Sequence, residues 1–318
     1  MPPRHALRPF TVGDIETAAA LLAARCPGLA GPADLLRRAW EDGARGAITE
    51  NGYLLARPGD GERGRHVWTA AECSAGEPDA LRRLYTHLAA GWLADGRGHH
   101  YVLAPVADVP VWQSLCFAYE QVHGVRELKA PEAGADGTAT AGPGQGAAGA
   151  GGFRIRAAGP DDLDRLAPLF PLVAEAHTAS PVFAYIESDF HGNLRPGHLE
   201  ALEDPSIAYW MAEDPGGEAL GIVLMRTIPE AEASCLTPAG SIELLIGATA
   251  VRVRGTGVGR ALTEHALADA ARRGFRACVT DWRAANPESS VFWPNRGFRP
   301  VAHRMHRILD PRLLSPSA

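Results

Sequence analysis

Arg254-Gly255-Thr256-Gly257-Val258-Gly259-Arg260 is the stretch of this chain best suited to chemistry. Its glycines lie between an apolar run and a helix-forming run, so successive backbone N–H groups are left uncovered by side chains. Where a helix begins, those groups and the helix dipole together favour an anion. Arg254 and Arg260 flank the loop and can add charge-assisted bonds to a phosphate. The glycines fall at 255, 257 and 259, so the dinucleotide pattern Gly-x-Gly-x-x-Gly is absent. Asp281, at the end of the next strand, nevertheless stands where that pattern wants its acid, which keeps the dinucleotide reading open. No Gly-Lys-Ser/Thr follows, which excludes a nucleoside-triphosphate loop. A structural strand-to-helix turn is the remaining alternative.

A second chemical feature is Glu243, the sole carboxylate in the apolar run 242–246. A half-buried carboxylate has a raised pKa and can accept a proton directly or through water. Asp281 is the next candidate base. His177, Tyr185, Asp189 and His191 offer further polar groups upstream and read as loop residues or substrate contacts.

These residues need elements to hold them. In the second half a short strand, Ile155-Arg156-Ala157, leads through Asp161-Asp162 into an amphipathic helix. Residues 199–202 end a helix before Pro205. Strands at 207–213 and 219–226 are joined by Asp214-Pro215-Gly216-Gly217, and a strand at 242–246 runs towards the glycine loop. A helix at 261–273 stops at Gly274. A strand at 275–282, an aromatic helix at 292–298 and a last strand at 301–308 follow.

The first half repeats this plan. Leu7-Arg8-Pro9 precedes Gly13-Asp14-Ile15, and Arg8/Arg156, Asp14/Asp162 and Leu21/Leu169 all stand 148 residues apart. A helix from about Asp79 closes by Gly96, and a strand at 101–104, an aromatic helix at 111–117 and a strand at 122–128 complete the half. The fold class is α/β, two tandem units each with a mixed, largely antiparallel sheet flanked by helices. Residues 129–152 are nearly all Gly, Ala, Pro, Thr and acidic, and read as a flexible linker. The domains expected are therefore 1–128 and 153–310.

Composition bounds the function. The 318 residues are 46% hydrophobic and 21% charged, enough for two cores, and 35 Gly with 25 Pro imply long connections. A net charge of −6 lacks the basic character of a nucleic-acid binder. No apolar run is long enough to cross a bilayer, and no secretory signal opens the sequence. Five scattered cysteines without a Cys-x-x-Cys pair read as reduced thiols in a cytoplasmic protein, with no metal site. A monomer or homodimer is expected.

The order Arg254-x-x-Gly257-x-Gly259, helix, strand, Asn286 and Phe292-Trp293-x-x-x-Gly297-Phe298 resembles the GCN5-related N-acetyltransferase family from Phe153 onward. The resemblance implies that acetyl-coenzyme A is the cosubstrate, with its pyrophosphate on Arg254, Gly255, Thr256, Gly257, Val258, Gly259 and Arg260. It implies contacts from Asn286 and Trp293, and pantetheine pairing with the strand backbone at Thr249, Ala250 and Val251. A backbone N–H near 249–251 would meet the thioester oxygen, and Glu243 would serve as the catalytic base. The acceptor implied is the amine of a small molecule or peptide, taken by direct attack. One departure concerns the acid: the family often has Tyr four positions before its Gly-Phe pair, where this chain has Trp293, which carries no acidic proton. That departure supports an alternative, a protein that binds or senses acyl-coenzyme A without turnover. The first half has Thr69-Ala70-Ala71-Glu72-Cys73-Ser74-Ala75-Gly76-Glu77-Pro78 where the glycine loop would stand, and so resembles a degenerate copy.

Overall fold

A computed structural model describes residues 7–27, 29–62, 64–129, 147–148, 152–229, 232 and 234–314. The chain forms two compact units, and neither is one continuous stretch. The first takes the chain up to His123, with Ser234–Leu236 and the residues from Pro300 onward; the second takes Gly124–Ala233 and Thr237–Arg299. These boundaries differ from the ones set by the Gly/Ala-rich stretch 129–152, most of which lies outside the described residues.

The first unit runs β1 (Arg8–Pro9), α1 (Ile15–Arg25), α2 (Pro32–Glu41), β2 (Arg45–Thr49), β3 (Gly52–Gly59), β4 (His66–Thr69), β5 (Ser74–Gly76), α3 (Pro78–Ala94), β6 (His99–Pro105), α4 (Val109–Ser114) and the start of β7 (Ala118–Glu127). Pro32 and Pro78 sit in the first turns of α2 and α3, where a missing N–H costs nothing. The strands pair antiparallel in the order β1-β2-β3-β4, β5 pairs with β3, and β4 meets β6 in parallel. Leu22, Leu36, Tyr53 and Leu55 fill one core cluster, and Leu84, Trp112 and Met305 belong to another.

The second unit runs β8 (Ala147–Ala148), β9 (Arg154–Ala157), α5 (Leu163–Leu166), α6 (Leu172–Thr178), α7 (Phe190–Glu203), β10 (Ile207–Glu213), β11 (Ala219–Thr227), β12 (Ser241–Thr249), α8 (Val258–Arg272), β13 (Ala277–Arg283) and α9 (Pro287–Asn295). The single amphipathic helix expected after Asp162 is broken into α5, a short turn and α6, because Pro168 and Pro171 interrupt it. The strand order is β8-β9-β10-β11-β12-β13, antiparallel except for β12 with β13. β11 is almost wholly apolar and buried, as suits a central strand.

The last strand of each half corrects the sequence expectation. β14 (Arg299–Ile308) pairs antiparallel with β6 of the first unit, from Ala302↔Pro105 to Ile308↔His99. β7 takes the place beside β13, and its residues from Gly124 on belong to the second unit. Gly124 supplies the room: a Cβ there would lie 2.6 Å from the Trp282 ring of β13.

Candidate functional site

β12 and β13 pair from Ser241↔Ala277 to Leu244↔Thr280 and then part. β12 continues along β11 as far as Gly221↔Thr249, with a bulge that leaves Leu245 without a partner in that register. Two cavities open at the gap. The larger, about 500 Å³, is walled by the glycine loop, the first turns of α8 and residues of α9. The smaller, about 170 Å³, is walled by α6, the end of β12 and Thr280, Asp281 and Trp282 of β13. Gly247, Ala248, Thr249, Arg254, Glu288, Ser289 and Trp293 line both, so the cavities share a wall across the gap.

The loop is built for exposed amides. Gly255 and Gly257 have φ of +78° and +95°, a region costly for any residue with a Cβ. Gly257 caps α8 with no side-chain bond, and no acid occupies the first turn. The first amides of α8 are thus left to solvent or a ligand, at the positive end of the dipole. Gly259 serves packing instead: a Cβ there would meet Thr249 Cγ2 at 3.2 Å. Val258 is buried, so only its backbone faces the loop. The Thr256 hydroxyl donates to the Val253 carbonyl at 2.7 Å and is used within the turn. Arg254 lies 3.7 Å from Glu288 in an exposed pair, which is weak and readily exchanged for a phosphate. Arg260 also lines the larger cavity.

The strand edge differs from the sequence expectation by two residues. The Ala250 N–H donates to the Leu220 carbonyl at 2.9 Å, and Val251 begins a short helical turn. Neither lines a cavity, whereas Gly247, Ala248 and Thr249 line both. By strand alternation Gly247 and Thr249 turn their backbone groups towards the gap. Asn286 walls the smaller cavity, and its Oδ1 accepts from the Glu288 and Ser289 amides to cap α9. Any contact it makes to a ligand is therefore through Nδ2. Trp293 is buried, with Phe292 and Phe298 edge-on at 4.9 and 5.4 Å.

Glu243 lines neither cavity. The antiparallel register sets it opposite Arg226, which donates to Glu243 Oε2 at 2.6 Å and also pairs with Glu232 at 2.8 Å. A cross-strand ion pair explains this acid. The smaller cavity is walled instead by His177 of α6 and Asp281 of β13, together with Glu288, the exposed partner of Arg254. Tyr185, Asp189 and His191 wall neither cavity; Asp189 accepts from Asn193 at 3.0 Å. Sequence reasoning passed over Gly247 and Ser289, and quoted Phe292 only as part of a motif. A glycine inside a strand was the available signal for the first: a Cβ at Gly247 would lie 3.3 Å from the Trp293 ring. Among the described residues no cluster of His, Cys, Asp and Glu could hold a metal, and no helix is long and apolar enough to cross a membrane.

The first unit has no counterpart of the loop. α3 opens with Glu77 as its cap, Pro78 in its first turn and the acid Asp79 beside it. Two carboxylates and a residue without N–H stand where an anion needs donors.

No protein-family model matches this chain, and no curated protein matches it. Solved structures do. A GCN5-related N-acetyltransferase from Sphaerobacter thermophilus is 16% identical, with a TM-score of 0.60 over 100% of this chain and 98% of that one. A tandem GNAT protein from the clavulanic acid biosynthesis pathway is 12% identical, with a TM-score of 0.50 over 98% of this chain and 99% of that one. A GCN5-related glucosamine N-acetyltransferase region of a fungal multi-domain β-N-acetylglucosaminidase is 11% identical, with a TM-score of 0.54 over 97% of this chain and 38% of that one. At such identities the likeness is one of fold. The chain has the GCN5-related N-acetyltransferase fold, in tandem.

Proposed function

We propose that the second unit is an N-acetyltransferase that takes an acetyl group from acetyl-coenzyme A and passes it to an amine by direct attack. The observation that carries this reading is the pair of cavities sharing a wall where β12 and β13 part, one of them floored by uncapped amides. In this reading the loop amides, Arg254 and Arg260 hold the pyrophosphate. The pantetheine arm follows Gly247 and Thr249 into the gap, between the Gly259 and Trp293 walls. The amine waits in the smaller cavity.

Attack needs a lone pair, so an ammonium must first lose a proton. His177 is the acceptor of that proton here, its imidazole offering a nitrogen lone pair, and Asp281 holds the ammonium beforehand. The nitrogen then bonds to the thioester carbon, a gap-facing β12 amide meets the developing oxyanion, and the carbon–sulfur bond breaks as the nitrogen gives its second proton to water. Trp293 gives no proton, so the thiolate leaves as such and is protonated by solvent.

Calorimetry with acetyl-coenzyme A tests the donor site, and thiol release over a panel of amines tests turnover. Gly259→Leu, which drives a side chain against Thr249, is expected to weaken coenzyme binding at least tenfold. Unchanged binding in that variant overturns the donor assignment. Tight binding with no thiol release from any amine would leave a non-catalytic binder.

A further inference from the structure

We propose that the acceptor is a primary amine with an uncharged apolar body, and that this body lies in a groove along α7. This rests on the acetyl-transfer reading of the smaller cavity and names what that cavity takes. The groove, about 370 Å³, runs between Leu194 and Ala201 of α7, Ile207 of β10, Leu224 of β11, and Leu245 and Ile246 of β12. Leu245 and Ile246 also wall the smaller cavity, so the groove adjoins the place assigned to the amine through these two residues.

Several observations agree on the chemistry of the occupant. Leu245, the bulge residue, is 42% exposed, an apolar side chain left open beside the gap. His198 lines the groove as well, yet it carries no charge at neutral pH: burial lowers its pKa to about 4. Its ring stacks on Phe170 at 3.8 Å, and its Nδ1 is hydrogen-bonded to the Tyr209 hydroxyl. No lysine or arginine lines the groove, whereas Glu200 and Asp204 do. A body bearing a carboxylate or phosphate finds no cationic partner there and meets Glu200 and Asp204 instead.

The connection between α6 and α7 adds a further feature. Its flanking helices supply His177 to the smaller cavity and Phe190 to the groove. Between them Phe183 is 72% exposed at φ +46°, and Tyr185 is 44% exposed.

The test is amine binding without turnover. Calorimetry of the full chain saturated with coenzyme A is run with straight-chain primary amines from ethylamine to hexylamine, and with phenethylamine. Affinity is expected to rise about three- to fourfold per methylene buried. Gly197→Phe fills the groove: an added Cβ meets nothing within 4 Å, so no backbone strain accompanies it. That variant is expected to weaken hexylamine at least tenfold and ethylamine less than twofold. Gly192→Phe, on the same helix with equally open space but outside the groove, is expected to change neither. A flat series, or equal effects of the two variants, overturns the proposal. Length-dependent binding without thiol release would sink the transferase reading and leave the apolar subsite standing.

Discussion

His177 and Asp281 meet at one cavity although 104 positions separate them, and the division of labour between them is measurable. His177→Gln is expected to lower kcat/KM at least a hundredfold at pH 7 and to change the shape of its pH profile. Asp281→Asn is expected to raise KM for the amine about tenfold while kcat changes little. A His177→Gln enzyme with the wild-type pH profile would refute the assignment. Sequence reading names Asp281 as the second candidate base and His177 as a loop or substrate-contact residue, but sets Glu243 above both. Glu243 is the more conspicuous acid in the sequence, and only the register with β11 reveals that Arg226 stands opposite it. The loop was legible for a different reason. Gly255 and Gly257 are required by φ alone, a local property, and the uncapped amides of α8 follow from the same residues.

At the scale of elements, the repeat seen in the sequence has a physical counterpart. Arg8 reaches both oxygens of Asp14, and Arg156 reaches both oxygens of Asp162 at 2.7 Å. In each unit the pair ties the first strand to the turn that starts the first helix, and the guanidinium holds the carboxyl well below the ordinary carboxylate range. The aromatic helices repeat as well. Trp112 packs on Phe117 at 5.2 Å and Trp293 on Phe298 at 5.4 Å, each Phe amide donating to its Trp carbonyl. Between them stands a left-handed residue, Cys116 in one unit and Gly297 in the other. Gly297→Ala is expected to cost about 1 kcal/mol in a urea titration, since its φ of +79° disfavours a Cβ. The exchange of last strands was not legible. β7 and β14 carry similar burial patterns, and the space Gly124 of β7 leaves for Trp282 is a contact between distant segments that patterning does not show.

For the whole molecule, burial lowers the pKa of His99, His100, His198, His265 and His303, and the two shifted furthest lead the response to acid. Burial lowers both His100 of the first unit and His198 of the second to about 4, and each ring is hydrogen-bonded to a buried tyrosine. An unfolded histidine titrates near 6.5, so between about pH 6.5 and 4 the unfolded chain binds more protons. Stability is therefore full above pH 6.5 and is lost as the pH falls towards 4. Asp14 and Asp162, whose folded values are depressed, weaken the fold only below the ordinary carboxylate range. Thermal melts are expected to shift down by roughly 5 °C from pH 7 to 5. A Tm independent of pH across that interval would remove the histidines from the account.

The pairing of β14 with β6 also bears on how the protein is made. A ribosome builds the chain from its N-terminus, and domains ordinarily fold as they emerge. Here the first unit lacks a strand and a core residue, Met305, until the chain has been extended past residue 300. In the meantime β6 presents an unpaired edge, the kind of surface that recruits stray strands. The unit synthesised first is thus the one completed last, and throughout elongation its β6 edge stands open to a wrong partner.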